Sequence, residues 1–316
     1  MKKLVALPIL LLLSGFLLWA FITYPKVGHI AYDNLTVVEA KFRGLEKHQV
    51  DIGELTMSIY RSENKANKPT LLMLHGYSSD KDVWPRFASH LIDDFNIIIP
   101  DMAGHGETGF SEQWNYRMPV QADRLAKMLE VLAIPQVHVI GNSMGGFVSA
   151  HFAKRHPDRT LSAFLIDPAG VYSPTLSRMG EMILTGRNPF EINSPEEFAE
   201  FYPMTMANPP WLPGVVLDAI GEKYEARRLE LRHIYNDFHE KDMLDNELAE
   251  ITAPVLLLWG GQDQLLHVDS ASVWQAGVPN IQVEIWEEIG HMSMLEAPAR
   301  TAALYQAFLS TLANKG

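Results

Sequence analysis

Residues 137–155 have the sequence VHVIGNSMGGFVSAHFAKR, and this stretch decides the fold. A short apolar run over 137–140 leads into Gly141-Asn142-Ser143-Met144-Gly145-Gly146, and a helix is predicted to follow over 145–155. This is the pattern of a nucleophile elbow, in which a serine occupies a strained turn at the carboxyl end of a strand. The strand before the turn and the helix after it distinguish the pattern from a chance glycine-rich loop.

Apolar runs of strand length alternate with amphipathic stretches of helix length on both sides of this motif. Most of these runs are continuously apolar, which is typical of strands buried on both faces of a parallel sheet. We therefore predict a doubly wound, mostly parallel α/β sheet, opened by an antiparallel pair over 48–51 and 55–61. The predicted strands cover residues 70–74, 96–100, 137–140, 161–166, 255–259 and 283–286. The predicted helices cover residues 82–91, 116–132, 145–155, 269–276 and 298–312.

Residues 172–250 interrupt this alternation, because they contain no strand-like run and carry several prolines among helical pieces. We predict that they form a helical cap, or lid, inserted between core segments 49–171 and 251–316. The cap is rich in methionine and aromatic side chains, which suit an adaptable surface over an apolar ligand but also suit a small core of the cap itself. Both interpretations stay open for Met179, Met182, Met204, Met206, Phe190, Tyr202 and Trp211.

A serine hydroxyl becomes a good nucleophile only beside a base that a carboxylate orients. In a fold with this elbow the chain order is serine, acid, histidine. His291 follows the last predicted strand, after Gly290, and is the candidate base, with His267 as its competitor. Asp263 follows the strand over 255–259 and is the candidate acid, whereas Asp167, after the preceding strand, is the alternative.

An acyl-transfer site also needs donors for the oxygen of the tetrahedral intermediate. The backbone N–H of Met144, next to the nucleophile, is one candidate, and the N–H of Tyr77, in the loop after the strand over 70–74, is the other. His75 is predicted to hold that loop rather than to act as a second base. Asp101 and His105 lie in a turn predicted to support the site; together with His75 they match no zinc spacing, and no metal is predicted.

The composition excludes several classes of protein. The chain has 316 residues, of which 47% are hydrophobic and 20% charged, as in an ordinary globular protein. Its formal charge of −12 argues against nucleic acid as a partner. The absence of cysteine rules out disulfides, thiolate catalysis and iron–sulfur clusters. The sequence points to no protein partner.

The mean hydropathy of −0.04 conceals one apolar segment at the amino terminus. Residues 4–25, LVALPILLLLSGFLLWAFITYP, carry no charge and are long enough as a helix to cross a hydrocarbon layer of ~30 Å. We predict a transmembrane anchor over 1–26 and a connector over 27–48. A cleaved signal peptide is disfavoured, because bulky residues occupy the stretch where a small-x-small site is needed. Lys2 and Lys3 favour a cytoplasmic amino terminus, and hence a catalytic domain on the non-cytoplasmic side (periplasmic in a Gram-negative cell), although Lys26 weakens this bias.

These motifs, taken in order, resemble the α/β-hydrolase superfamily from about residue 50 to the carboxyl terminus. The motifs that carry the resemblance are His75-Gly76-Tyr77, Asp101-Met102-Ala103-Gly104-His105-Gly106, Gly141-Asn142-Ser143-Met144-Gly145-Gly146, Trp259-Gly260-Gly261-Gln262-Asp263 and Gly290-His291. Within it the chain resembles membrane-anchored monoacylglycerol lipases and related bacterial lipases. The resemblance implies cofactor-free hydrolysis of carboxylic esters of glycerol through an acyl-serine, with Ser143, Asp263 and His291 as the triad.

Two alternatives remain open. The elbow also resembles that of carbon–carbon bond hydrolases acting on ring-fission products, although those enzymes tend to carry an aromatic residue after the histidine, where this chain has Met292. The membrane segment and the apolar cap fit a lipid ester better than a soluble dianion. A catalytically silent binding protein of the same fold is the third interpretation, and the complete set of serine, aspartate and histidine argues against it.

Overall fold

An eight-stranded sheet organises the computed structural model, which describes residues 2–23 and 25–314. The spatial order is β1-β2-β4-β3-β5-β6-β7-β8; β2 pairs antiparallel with β1 and β4, and all other neighbours are parallel. The strands are β1 (Leu45–Asp51), β2 (Thr56–Ser62), β3 (Thr70–Leu74), β4 (Asn96–Pro100), β5 (Val137–Asn142), β6 (Thr160–Ile166), β7 (Val255–Gly260) and β8 (Ile281–Trp286). The predicted strands and the antiparallel opening pair are confirmed, with ends shifted by up to three residues.

The helices cover both faces of this sheet. They are α1 (Lys2–Thr23), α2 (Pro25–Phe42), α3 (Pro85–Ala88), α4 (Met118–Val131), α5 (Met144–Arg155), α6 (Arg178–Leu184), α7 (Pro195–Phe201), α8 (Gly214–Phe238), α9 (Ser270–Gly277), α10 (Ser293–Glu296) and α11 (Pro298–Ala313). Four of the five predicted helices are confirmed within two residues at each end. The helix predicted over 82–91 is wrong, because Pro85 starts a new four-residue helix after a short 3-10 turn.

Two buried apolar clusters lie on opposite faces of the sheet. One includes Leu72 and Leu257 and packs under α4 and α5. The other includes Leu71 and Leu256 and packs under α11. Neighbouring residues of one strand thus enter different clusters, which explains why these strands are continuously apolar. Because β3, β5, β6, β7 and β8 are parallel, the loops that leave their carboxyl ends meet at one edge of the sheet.

Between β6 and β7 the described chain forms only helices and loops, which confirms the predicted helical character of residues 172–250. The longest of these helices, α8, has 25 residues and contacts both α7 and α2. A third apolar cluster, which includes Phe198, Phe201 and Met204, lies within this segment.

The amino-terminal prediction of a single transmembrane helix is not confirmed. Among the described residues, no one helix has both the length and the apolar composition to span a membrane; the stretches Ile9–Thr23 and Lys26–Phe42 meet both criteria only as a pair, bent by 87°. α1 ends at Thr23 and α2 starts at Pro25, whose ring cannot continue an α-helix from the preceding turn. Residues 1 and 24 of the predicted anchor, and 315–316 of the predicted core, lie outside the described residues.

The connector predicted over 27–48 is also wrong, since α2 and the start of β1 occupy most of it. α2 is ordered by contacts with α8. His29 Nε2 lies 2.6 Å from Glu222 Oε2, and Lys223 pairs with Asp33 and lies over the ring of Tyr32. These partners are remote in sequence, so the pattern of residues 27–48 alone did not show the helix.

The contact between α2 and α8 generates a stability prediction. A Cβ atom added at Gly28 would lie 1.9 Å from the backbone oxygen of Val215, so Gly28→Ala must push the two helices apart. We expect the substitution to lower the free energy of unfolding of the full-length protein in detergent by about 1–3 kcal/mol, as measured by thermal or chemical denaturation. Gly214→Ala is the matched control, because a Cβ atom there meets no atom within 4 Å. Equal stabilities of the two variants would contradict this packing.

Candidate active site

Ser143 occupies the strained turn between β5 and α5. Its backbone angles are φ 57° and ψ −121°, a region that non-glycine residues rarely adopt. The turn requires close backbone contacts: a Cβ atom at Gly141 would lie 2.1 Å from the oxygen of Gly145, and one at Gly145 would lie 2.2 Å from the oxygen of Leu74. The Ser143 N–H donates to the oxygen of Ile166 at 3.0 Å, which ties the elbow to β6. The predicted elbow geometry is therefore present.

His291 and Asp263 form a buried hydrogen-bonded pair. His291 Nδ1 lies 2.6 Å from Asp263 Oδ2, and both side chains are almost fully buried. The other oxygen, Asp263 Oδ1, accepts the backbone N–H groups of Leu265 and Leu266 at 2.8 and 3.0 Å. Three donors thus converge on this carboxyl group. A carboxylate on Nδ1 leaves Nε2 of the ring available for proton transfer.

The elbow and the histidine loop are joined directly. Asn142 Nδ2 donates to the backbone oxygen of His291 at 2.8 Å and to that of Ile166 at 3.2 Å. Ser143 and His291 line the same cavity. The structure therefore brings the three predicted triad residues to one place, and it pairs His291 with Asp263. His267, the competing base, lies 3.5 Å from Asp269 on another loop. The catalytic roles of the three residues remain predictions.

Asp167, the alternative acid, lies beside the pair rather than outside the site. It is fully buried, and its Oδ1 accepts the backbone N–H of Gly260 at 2.8 Å. Burial, and after it the charge of Asp263, raises the pKa of Asp167 well above its usual range. Polar atoms of Asp167, Asp263 and His291 lie within 4.8 Å of one another, close enough to hold a metal ion. Because the hydrogen bonds of Asp263 already include His291 Nδ1, we assign these atoms to an acid–base pair rather than to a metal.

The two predicted oxyanion donors are unpaired within the described residues. Met144 is the first residue of α5, so its N–H has no partner in the helix, and the helix dipole favours negative charge there. Tyr77 follows β3, and a Cβ atom at the adjacent Gly76 would lie 3.3 Å from Ser143 Cβ. Among described groups we find no acceptor for either N–H. The Tyr77 hydroxyl donates to the oxygen of Leu231 in α8 at 2.7 Å and fixes the loop.

His75 and Asp101 brace the loop that carries Tyr77. His75 Nδ1 lies 2.8 Å from the oxygen of Gly76, and its Nε2 accepts the N–H of Met102 at 3.0 Å, as a neutral ring would. Burial lowers the pKa of His75 to about 4, which keeps the ring neutral. Asp101 accepts both the backbone N–H and the ammonium group of Lys81, at 2.8 and 2.5 Å. These contacts hold the loop after β3 against the turn after β4, which is the supporting role predicted for His75 and Asp101.

One cavity of about 1070 Å³ extends from Ser143 to the amino-terminal helices. The methionine and aromatic side chains of residues 172–250 divide between two places, a small apolar core of this segment and the wall of the cavity. Met179, Met182 and Met204 pack in the third apolar cluster, whereas Met206 and Trp211 line the cavity. Phe190 and Tyr202 do both. Trp211 is 85% exposed at the edge of the cavity.

The sequence analysis missed two parts of the cavity wall. One consists of side chains from α1 and α2, including Phe21, Tyr32 and Leu35. It was missed because residues 27–48 were predicted to be a connector and not a helix. The other is a polar patch formed by Ser78, Asp80 and Tyr224. Its local signal was the sequence Ser78-Ser79-Asp80 directly after the oxyanion loop, but Tyr224 is remote in the chain. Burial, and after it the charge of Asp82, raises the pKa of Asp80 to about 7.

Comparison with known proteins finds similarity to an alpha/beta hydrolase family model, to lipases and to a phospholipase. Residues 69–233 match the family described as alpha/beta hydrolase fold. Lipase 1 of Psychrobacter immobilis is 32% identical over 84% of this chain and 86% of that protein. A monoacylglycerol lipase of Mus musculus is 27% identical over 98% of this chain and 93% of that protein. The crystal structure of a membrane phospholipase A, a bacterial virulence factor, is 33% identical with a TM-score of 0.87, covering 99% of this chain and all of that one.

The pairing of His291 with Asp263 predicts the effect of an isosteric change. Asp263→Asn keeps the shape of the side chain but cannot hold the ring in the required tautomer, so we expect ester hydrolysis to fall by about ten-thousandfold. The measurement is kcat on a p-nitrophenyl ester, with thermal unfolding to verify that the fold is intact. Asp94→Asn is the control, since that carboxylate lies on the surface. Full activity of Asp263→Asn would show that another group orients His291.

Proposed function

Because this chain belongs to the alpha/beta hydrolase fold family, we propose that it cleaves carboxylic esters of lipids with Ser143 as the nucleophile. The observation that carries the proposal is the 2.6 Å contact between His291 Nδ1 and Asp263. The loop that carries His291 is bound to the elbow, because Asn142, next to Ser143, donates a hydrogen bond to the backbone oxygen of His291. A buried pair of this kind beside a cavity-lining serine is the arrangement needed for nucleophilic catalysis.

The proposed reaction has two halves. His291 Nε2 takes the proton of the Ser143 hydroxyl as its oxygen attacks the ester carbonyl, and Asp263 stabilises the imidazolium. The N–H groups of Met144 and Tyr77 hold the oxyanion, each worth about 3–4 kcal/mol of transition-state stabilisation. The imidazolium then protonates the leaving alcohol. Water, deprotonated by His291, attacks the acyl-serine and releases the carboxylic acid and free Ser143.

We propose a monoacylglycerol as the substrate. The relatives include a monoacylglycerol lipase, and the cavity combines an apolar part, with Phe198, Met206 and Met292, and the polar patch at Asp80. A long acyl chain fits the first part and a glycerol carrying two free hydroxyls fits the second. The formal charge of −12 favours a neutral ester over an anionic lipid and assists release of the carboxylate product.

A phospholipase A activity is the second candidate, favoured by the similarity to the membrane phospholipase A. We further propose that α1 and α2 attach the protein to a membrane with the catalytic domain on the non-cytoplasmic side, and that residues 172–250 act as a cap domain selecting the acyl chain. The exposed apolar side chains of Leu35, Val38 and Phe42 on α2 support the attachment.

Active-site labelling tests the serine mechanism. We expect a fluorophosphonate probe to label the full-length protein covalently, because the reagent reacts with a serine that a base has activated. Ser143→Ala should lose all labelling. Ser79→Ala should retain it, since Ser79 lines the same cavity but lies outside the elbow. A folded protein that the probe does not label would favour the catalytically silent binding protein.

A substrate comparison tests the proposed lipid. We expect the highest kcat/KM on a 1-monoacylglycerol, relative to a phosphatidylcholine and a ring-fission dienoate. Measured well above pH 7, where Asp80 is ionised, Asp80→Asn should lower kcat/KM on the monoacylglycerol about tenfold and leave the methyl ester of the same acid unchanged, because only the glycerol ester uses this charged acceptor. Asp94→Asn is the control, because that carboxylate lies on the surface away from the cavity lining. A higher kcat/KM on phosphatidylcholine or on the dienoate would contradict the proposal that a monoacylglycerol is the substrate.

A further inference from the structure

Asp167 is the buried acidic group that the proposed mechanism leaves unused. It follows β6 with a positive φ of 44°, and none of its surface is exposed. Its Oδ1 accepts the N–H of Gly260, but its Oδ2 is buried and receives no hydrogen bond from any N–H or O–H donor of the described residues. The acidic group beside it is Asp263, a carboxylate oxygen of which lies within 4.8 Å of one of Asp167. Two ionised carboxylates can only accept hydrogen bonds, so these neighbouring groups repel each other unless one of them carries a proton.

The hydrogen bonds around the two carboxyl groups show where that proton lies. Asp263 receives three, from Leu265, Leu266 and His291, whereas Asp167 receives one, from Gly260. Donors stabilise the charged form, so Asp263 is the better site for the charge and Asp167 the better site for the proton.

Other titratable groups act in the same direction. Glu296 adds its negative charge to that of Asp263, and burial, the largest cause, raises the pKa of Asp167 well above its usual range. His291, the remaining titratable group close to the two carboxyls, is bonded to Asp263 through Nδ1. A second carboxylate at this fully buried position would be costly.

We propose that Asp167 is a neutral carboxylic acid that donates its O–H to Asp263 and so acts as a positioning residue for the triad. The inference rests on the proposed function of Ser143, Asp263 and His291. The hydrogen bond fixes the Asp263 carboxylate against Nδ1 and takes up part of its charge. Asp263 is thereby held where it orients the ring and stabilises the imidazolium that protonates the leaving alcohol.

Substitutions at Asp167 separate a neutral donor from a charged group. Asp167→Asn keeps a donor and has no charge, so we expect kcat within about threefold of the wild type and an unchanged acid limb in the pH profile of kcat/KM. Asp167→Ala removes the donor and leaves the full charge of Asp263 facing His291. It should lower kcat by about tenfold or more with little change in KM, and it should move the acid limb to higher pH, because the imidazolium of His291 is then better stabilised.

The opposite results would overturn the inference. If Asp167 were ionised, Asp167→Asn would remove a negative charge near His291 and move the acid limb to lower pH. Difference infrared spectroscopy of the wild type against Asp167→Asn supplies a second readout that needs no turnover. A protonated-carboxyl band in the wild type alone supports the proposal, and its absence contradicts it even if Asp167→Ala does not fold. Failure of the probe to label Ser143 would overturn the proposed function instead.

Discussion

The close approach of α5 to the ends of β3 and β5 is the constraint on which the site depends. A side chain at Gly145 would meet the backbone oxygen of Leu74 at 2.2 Å, so the helix can reach this position only because the residue is glycine. At this distance the first turn of α5 lies against the loop that leaves β3. The nucleophile candidate Ser143 and the predicted oxyanion donors of Met144 and Tyr77 therefore lie on adjoining loops at one edge of the sheet.

The loops around the elbow are held by buried polar groups, each compensated by a specific partner. Lys81 neutralises Asp101 under the oxyanion loop, and the neutral ring of His75 links that loop to Met102. Glu296 accepts the N–H of Gly290, and its other oxygen accepts two N–H groups from residues 207–208 of the cap. The loop that carries His291 is thus coupled to residues 207–208, so that the position of His291 and the shape of the cavity depend on one set of contacts.

The amino-terminal helices pack against the rest of the protein and form part of the cavity wall. α2 packs on α8, and α8 in turn holds the Tyr77 hydroxyl through the oxygen of Leu231. Side chains of α1 and α2 complete the cavity wall far from Ser143. The segment proposed to attach the protein to a membrane therefore also borders the cavity proposed to bind the acyl chain. In this arrangement a lipid passes from the membrane to the cavity with little exposure to water.

The sequence by itself determined the parallel sheet, the elbow at Ser143 and the order in which Asp263 and His291 follow it, because these depend on local spacing and on strands apolar on both faces. It left Asp167 and Asp263 as competing acids, since both follow neighbouring strands. Only the tertiary structure decided which of them contacts the histidine, through the loop paths that place Asp263 Oδ2 against His291. It also decided that residues 25–42 form a helix, because the partner of His29 lies 193 residues later in the chain, a distance over which no local pattern carries information.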